Sequence, residues 1–263
     1  MARKQKRTEW APRPAPAPLP PETRTVGQLV AETLRLYAGH YWRSLALGIP
    51  VGIIDTTAIG LSRTEAAAAA AVVGGPLLTL AYVGASLLAS DRPRPSARTL
   101  AVAWAIGTLV FLPFPVLAFA FVLPALAWLA LVGLVVPVLV IEQPPVGAAL
   151  RRAVTLARAD YVHALGSLTT LAITYFIARL GLLFLLHGGS GAAERTSAFL
   201  ADVVISPLLF LGAALLYYDQ AARVGSAPRP RRRDADVHPA VKPDGPGSSD
   251  AEGEPRPAAG GQP

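Results

Sequence analysis

Between Thr99 and Ile141 the chain runs for 43 residues without an Asp, Glu, Lys, Arg or His. As one helix this run would be about 65 Å long at about 1.5 Å per residue, roughly twice the ~30 Å hydrocarbon core of a bilayer. Two membrane crossings fit it, and one buried helix of a water-soluble protein does not. Composition agrees, because only 16% of the residues are charged, and these gather in the tails and short loops. Windows of about 20 apolar residues predict six spans, near 43–61, 66–90, 99–119, 121–141, 162–186 and 197–218. Inside the long run, Pro113, Pro115 and Pro124 are the candidate bends.

Orientation follows from the cations. Of the 24 Lys and Arg residues, 21 fall in segments that six spans would place on one side: 1–43, 91–98, 142–161 and 219–263. Arg63 and Arg195 fall on the other side, and Arg179 lies within a span. The positive-inside rule then predicts that both termini are cytoplasmic. The start MARKQKR runs into APRPAPAPLPP, where a signal peptide would need an apolar core, so no cleavable signal is expected. Residues 1–24 and 224–263 are rich in Pro and polar residues, and we expect disordered tails flanking a membrane domain at 25–223. The net charge of +7 is not interleaved with exposed aromatics, which argues against a nucleic-acid partner. Anionic lipid headgroups suit basic segments beside spans better.

The segment IEQPPVGAALRRAVTLARADY (141–161) follows the long run. Its Glu142 marks the exit of the fourth span, and Pro144 and Pro145 turn the chain onto the membrane surface. Residues 145–165 align without gaps on TVGQLVAETLRLYAGHYWRSL (25–45) at an offset of 120, with Val, Gly, Leu, Tyr and Leu in common. A second pair, VVGGPLLTLAYVGASLLASD (72–91) and VVISPLLFLGAALLYYD (203–219), follows in the same order. The pattern predicts a parallel internal repeat, each copy a surface helix followed by two spans, with the 99–141 hairpin between the copies. Both surface helices are amphipathic. One opens with a T-x-x-Q capping box at Thr25 and Gln28 and carries Val26, Leu29, Val30, Thr33, Leu34 and Tyr37 at helical spacing. The other carries Val146, Ala149, Leu150, Ala153, Val154 and Ala157, and its Arg151, Arg152 and Arg158 are expected to face lipid phosphates.

Ionisable residues within spans are few. Asp55 in PVGIIDTTAIG and Arg179 in TYFIARLGLLF fall at similar depth in two outward-running spans. An isolated charge at mid-membrane costs about 2.5–3.5 kcal/mol, so pairing of Asp55 with Arg179 is expected, with Asp202 near enough to join. Asp219 and Arg223 are read as anchors at the end of the last span, as is Glu142 at the end of the fourth. His40, His163, His187 and His238 are scattered, so no metal site is expected. GGSG at 188–191 lacks the Lys-Ser/Thr of a phosphate loop and reads as a turn. With no cysteine and no G-x-S-x-G motif, no nucleophile is visible. No cofactor and no enzymatic activity are expected.

PVLVIE (137–142), VGAALRRAVTLARADY (146–161) and LLYYDQAAR (215–223) together resemble a bacterial family of multi-pass membrane proteins. That family includes the membrane domain joined to some glycerophosphoryl diester phosphodiesterases and many stand-alone proteins of unknown function. The resemblance covers about residues 25–223, and TVGQLVAETLRLYAGHYW is similar to the family's opening. It departs at Ala153 and Val154, where Ser and Trp are usual, and in the spacing of Asp219 and Arg223. It implies an all-α bundle of six spans and two interfacial helices in a bacterial inner membrane. The phosphodiesterase activity belongs to a separate soluble domain and is not implied. The expected role is membrane organisation or modulation through lipid or protein contacts, and the alternative is a small transporter or lipid-handling protein using Asp55 and Arg179.

Overall fold

The computed structural model describes residues 24–185 and 191–226, and its regular structure there is entirely helical. The basic and Pro-rich N-terminal segment, most of GGSG with His187, and the C-terminal tail with RPRRR and His238 lie outside the described residues. In chain order the helices are α1 (Val26–Gly39), α2 (Tyr41–Ala58), α3 (Arg63–Ala69), α4 (Gly75–Leu88), α5 (Ala97–Phe111) and α6 (Phe114–Ala120). Then follow α7 (Val122–Val132), α8 (Val135–Pro137), α9 (Val146–Ala159), α10 (Tyr161–Leu185), α11 (Gly191–Ile205) and α12 (Pro207–Ser226). Two π-helical turns, Ala70–Gly74 and Val138–Glu142, join α3 to α4 and extend α8. Near the first, Pro76 has no N–H to give the Val72 carbonyl four residues back; in the second, the Gln143 N–H reaches the Val138 carbonyl at 3.3 Å.

Five stretches are long and apolar enough to cross a membrane: Arg63–Leu88, Ala97–Ala118, Val122–Glu142, Tyr161–Leu185 and Arg195–Gly225. Each lies close to an expected span. The remaining expected span, 43–61, falls on α2, which is not among the five. Arg43 and Asp55 within its 18 residues dilute its apolar character. Side chains agree with a membrane setting, because Ile173, Phe176, Ile177, Leu180 and Phe184 leave a continuous apolar stripe exposed along α10. Water would not tolerate such a stripe without a partner, whereas lipid does.

The long uncharged run does form a hairpin, but its reversal is at Phe121. This residue is extended (φ −157°, ψ 138°) and separates α6 from α7. Of the three prolines, Pro113 marks a break, between α5 and α6. There the Val110 carbonyl accepts the Trp128 indole N–H at 2.8 Å from the facing arm. The returning arm carries the centre of the core, with Val135, Val136 and Val138 fully buried.

The first capping box forms as expected: Thr25 Oγ1 accepts from Gln28 N, and Gln28 Oε1 accepts from Thr25 N. Ser62 and Glu65 make the same pair at the start of α3. Helices α1 and α9 each have 14 residues and are offset by 120. Their apolar stripes divide in two. Leu29 and Thr33 on α1, like Ala149 and Ala153 on α9, are buried against protein, whereas Leu34 and Leu150 are exposed. α1 docks on α12 and α10, and α9 docks on α7 and α12. Both helices are therefore partly bundle elements. The hydroxyl of Tyr37 also donates to the Val204 carbonyl at 3.0 Å. Burial, then the neighbouring Tyr41, pushes the Tyr37 phenol pKa upward.

Beyond α1 and α9 the helices that follow each pack differently. α2 runs along α11 and α4, whereas α10 packs on α11, α12 and α7 of the central hairpin.

Candidate functional site

The close approach of α2 to α11 has a local cause. Gly48 and Gly52 form a G-x-x-x-G face on α2, the spacing that lets two membrane helices meet at backbone distance. A Cβ at Gly48 would collide with the Val203 backbone, and one at Gly52 with the Phe199 ring. Asp55 is one turn further along the same face, since residues four and seven apart share it. The glycines thus deliver Asp55 to Asp202.

Arg179 reaches this junction from α10. Its Nη2 binds Asp55 Oδ2, its Nε donates to Asp202 Oδ1 at 2.7 Å, and Nη2 lies 3.4 Å from Asp202 Oδ2. Tyr175, four residues earlier on the same helix, donates its hydroxyl to Asp202 Oδ1 at 2.7 Å. Asp202 is fully buried, whereas the side chains of Arg179 and Asp55 are 23% and 42% exposed. The forked guanidinium suits this bridging of two carboxylates, because its donors point in fixed directions. The pair expected from sequence is thus in contact, and Asp202 completes a triad. Tyr175 was missed, its only trace being the four-residue spacing to Arg179.

Asp55 also forms part of the wall of a cavity of about 310 Å³. This is at the low end of the ~300–1,000 Å³ typical of small-molecule sites. Helices α2, α4, α5, α6, α7, α10 and α12 all contribute to the wall, and exposed Phe176 and Val122 in it leave the cavity open on one side. Its lining is apolar apart from Asp55 and the hydroxyls of Tyr82 and Tyr175. Both hydroxyls are engaged, Tyr175 by Asp202 and Tyr82 by the Ala213 carbonyl at 3.4 Å.

A second polar region lies about 25 Å further along α11 and α12, from Asp202 to Asp219 by helical rise. Glu142 Oε1 accepts from Tyr217 OH at 2.8 Å and from Arg152 Nε at 3.2 Å. Asp219, fully buried, binds Arg24 Nη1 at 2.8 Å. Arg223 Nη1 binds Asp160 Oδ2 at 2.9 Å, and its Nη2 donates to the Arg24 carbonyl at 3.1 Å. Glu142, Asp219 and Arg223 therefore sit in ion pairs, Glu142 and Arg223 at helix ends and Asp219 about two turns inside α12. Residues of all three quoted motifs, PVLVIE, VGAALRRAVTLARADY and LLYYDQAAR, meet at Glu142. Of the three arginines expected to face lipid, Arg151 and Arg158 are exposed on α9. Arg152 is corrected: its guanidinium turns toward Glu142, because the left-handed Gln143 (φ 55°) folds the chain back beside the π-helical turn. Arg24 and Asp160 were not singled out from sequence, since single charges beside spans are common.

No protein-family model, curated protein or solved structure matches the chain.

Proposed function

We propose that this is a non-enzymatic, six-span protein of a bacterial inner membrane, with both termini cytoplasmic, that holds an apolar chain or small amphiphile within its bundle. The central cavity beside Asp55 carries this reading, and it favours the transporter or lipid-handling alternative over a purely organisational role. In this reading α2 is a span. Its 18 residues extend about 27 Å at about 1.5 Å per residue, close to the hydrocarbon thickness, and Arg179 lowers the cost of Asp55 there. The distribution of Lys and Arg supports the orientation.

Native mass spectrometry of the purified protein tests the reading. The wild type should retain a co-purified amphiphile, and Ala213→Phe, which fills the cavity, should lose it. Equal retention by both would remove the proposal.

Contact with anionic lipid through α9 is a second reading, favoured by the exposed Arg151 and Arg158 beside exposed Leu150. Nanodiscs loaded with mixed lipids should show enrichment of anionic lipid around the wild type and less around Arg151→Gln/Arg158→Gln. An unchanged annulus would count against it. We further propose membership of the family resembling the phosphodiesterase-linked membrane domain, supported by the convergence of its three motifs at Glu142.

A further inference from the structure

We propose that the central cavity binds a lipophilic cation, with Asp55 as its counter-ion. This rests on the reading of the cavity as a ligand site and adds the chemical class of the ligand.

The argument begins with charge. Two carboxylates, Asp55 and Asp202, share one guanidinium, Arg179, so the ionised triad carries one negative charge in excess. Among the described residues, the cation in contact with Asp55 is Arg179, which it shares with Asp202. The three members are not equivalent toward the cavity. Asp202 is fully buried and held by Tyr175 and Arg179, and Arg179 is not part of the cavity wall, whereas Asp55 is. A ligand in the cavity therefore meets a carboxylate, with the guanidinium behind it.

The rest of the wall selects what can accompany a positive charge. Tyr82, Phe111, Phe114, Tyr175, Phe176 and Phe210 all contribute to it. Aromatic faces attract cations, most strongly where water is excluded, and they repel anions. A small hydrated cation such as Na⁺ would find few oxygen donors here and would lose its water shell without replacement. An anionic lipid head would oppose Asp55. The lining suits a charge carried on an apolar body, as in a quaternary ammonium or phosphonium compound.

The experiment uses full-length protein in nanodiscs, with empty nanodiscs as the partition baseline. Radiolabelled tetraphenylphosphonium is the probe and tetraphenylborate, of the same shape and opposite charge, the competitor. Saturable phosphonium binding is expected, with tetraphenylborate at least tenfold weaker as a competitor. Asp55→Asn should weaken phosphonium binding at least tenfold, and Ala213→Phe should abolish it while leaving the triad in place. If tetraphenylborate competes as well as unlabelled phosphonium, or Asp55→Asn binds like wild type, the cation assignment fails while the ligand site stands. If neither ion binds saturably, both fail. Should Asp55→Asn not fold, as judged by size-exclusion profile, the comparison of the two ions decides alone.

Discussion

Asp202 has no access to solvent and depends on two donors from one helix, Tyr175 and Arg179. Removing the guanidinium would leave a buried carboxylate with one neutral hydrogen bond, the kind of broken pair that costs about 3–5 kcal/mol. Partial exposure of Arg179 and Asp55 moderates this, so Arg179→Ala should destabilise the protein by about 3 kcal/mol. It should lower the thermal midpoint in detergent. Adding Asp202→Asn should restore part of the loss, because the pair couples directly. An Arg179→Ala protein as stable as wild type would show that the triad contributes nothing to the fold. Asp55 and Arg179 were legible in the sequence because a charge inside an apolar run stands out. Tyr175 was not, since tyrosine is ordinary in membrane helices and its role depends on Asp202, 27 residues away.

At the scale of elements, the contact between α2 and α11 depends on small residues. Gly48→Ala would push a methyl group into the Val203 backbone, which cannot rotate away. The expected cost is about 1–3 kcal/mol, as for other overpacked sites, with a lower thermal midpoint and weaker positioning of Asp55. Gly181→Ala is the matched control, because a methyl group there meets nothing within 4 Å. It should be neutral or slightly stabilising through the helix preference for alanine. Equal midpoints for the two variants would overturn the close-packing account. The glycine pair is visible in the string GIPVG, yet its partner is not, because a G-x-x-x-G face does not say which helix it meets. The surface helices were more legible. Their caps are local, and the offset of 120 between α1 and α9 is written in matching residues. Their division between protein-facing and exposed stripes was not legible, since both halves are apolar and only the neighbouring helices separate them.

At the scale of the whole molecule the number of crossings turns on α2, which lies outside the five long apolar stretches. Apolar length made the other spans legible, because nothing but hydrocarbon or a protein interior accepts such runs. α2 is ambiguous because Arg43 and Asp55 lower its apolar character, and only the triad explains how one of those charges is tolerated. If α2 crosses, residues before it share a side with the loop preceding α5; if it does not, they share a side with the loop between α2 and α3. The chain contains no cysteine, so single cysteines report side without background. Thr8→Cys, Leu61→Cys and Ala97→Cys sample these three segments. In intact cells a membrane-impermeant maleimide should label Leu61→Cys alone, and lysis should expose Thr8→Cys and Ala97→Cys. Labelling of Thr8→Cys together with Leu61→Cys in intact cells would reduce the protein to five crossings. The triad would then lie near the end of the bundle that α2 covers, where water could screen Asp55 and weaken the case for a lipophilic cation.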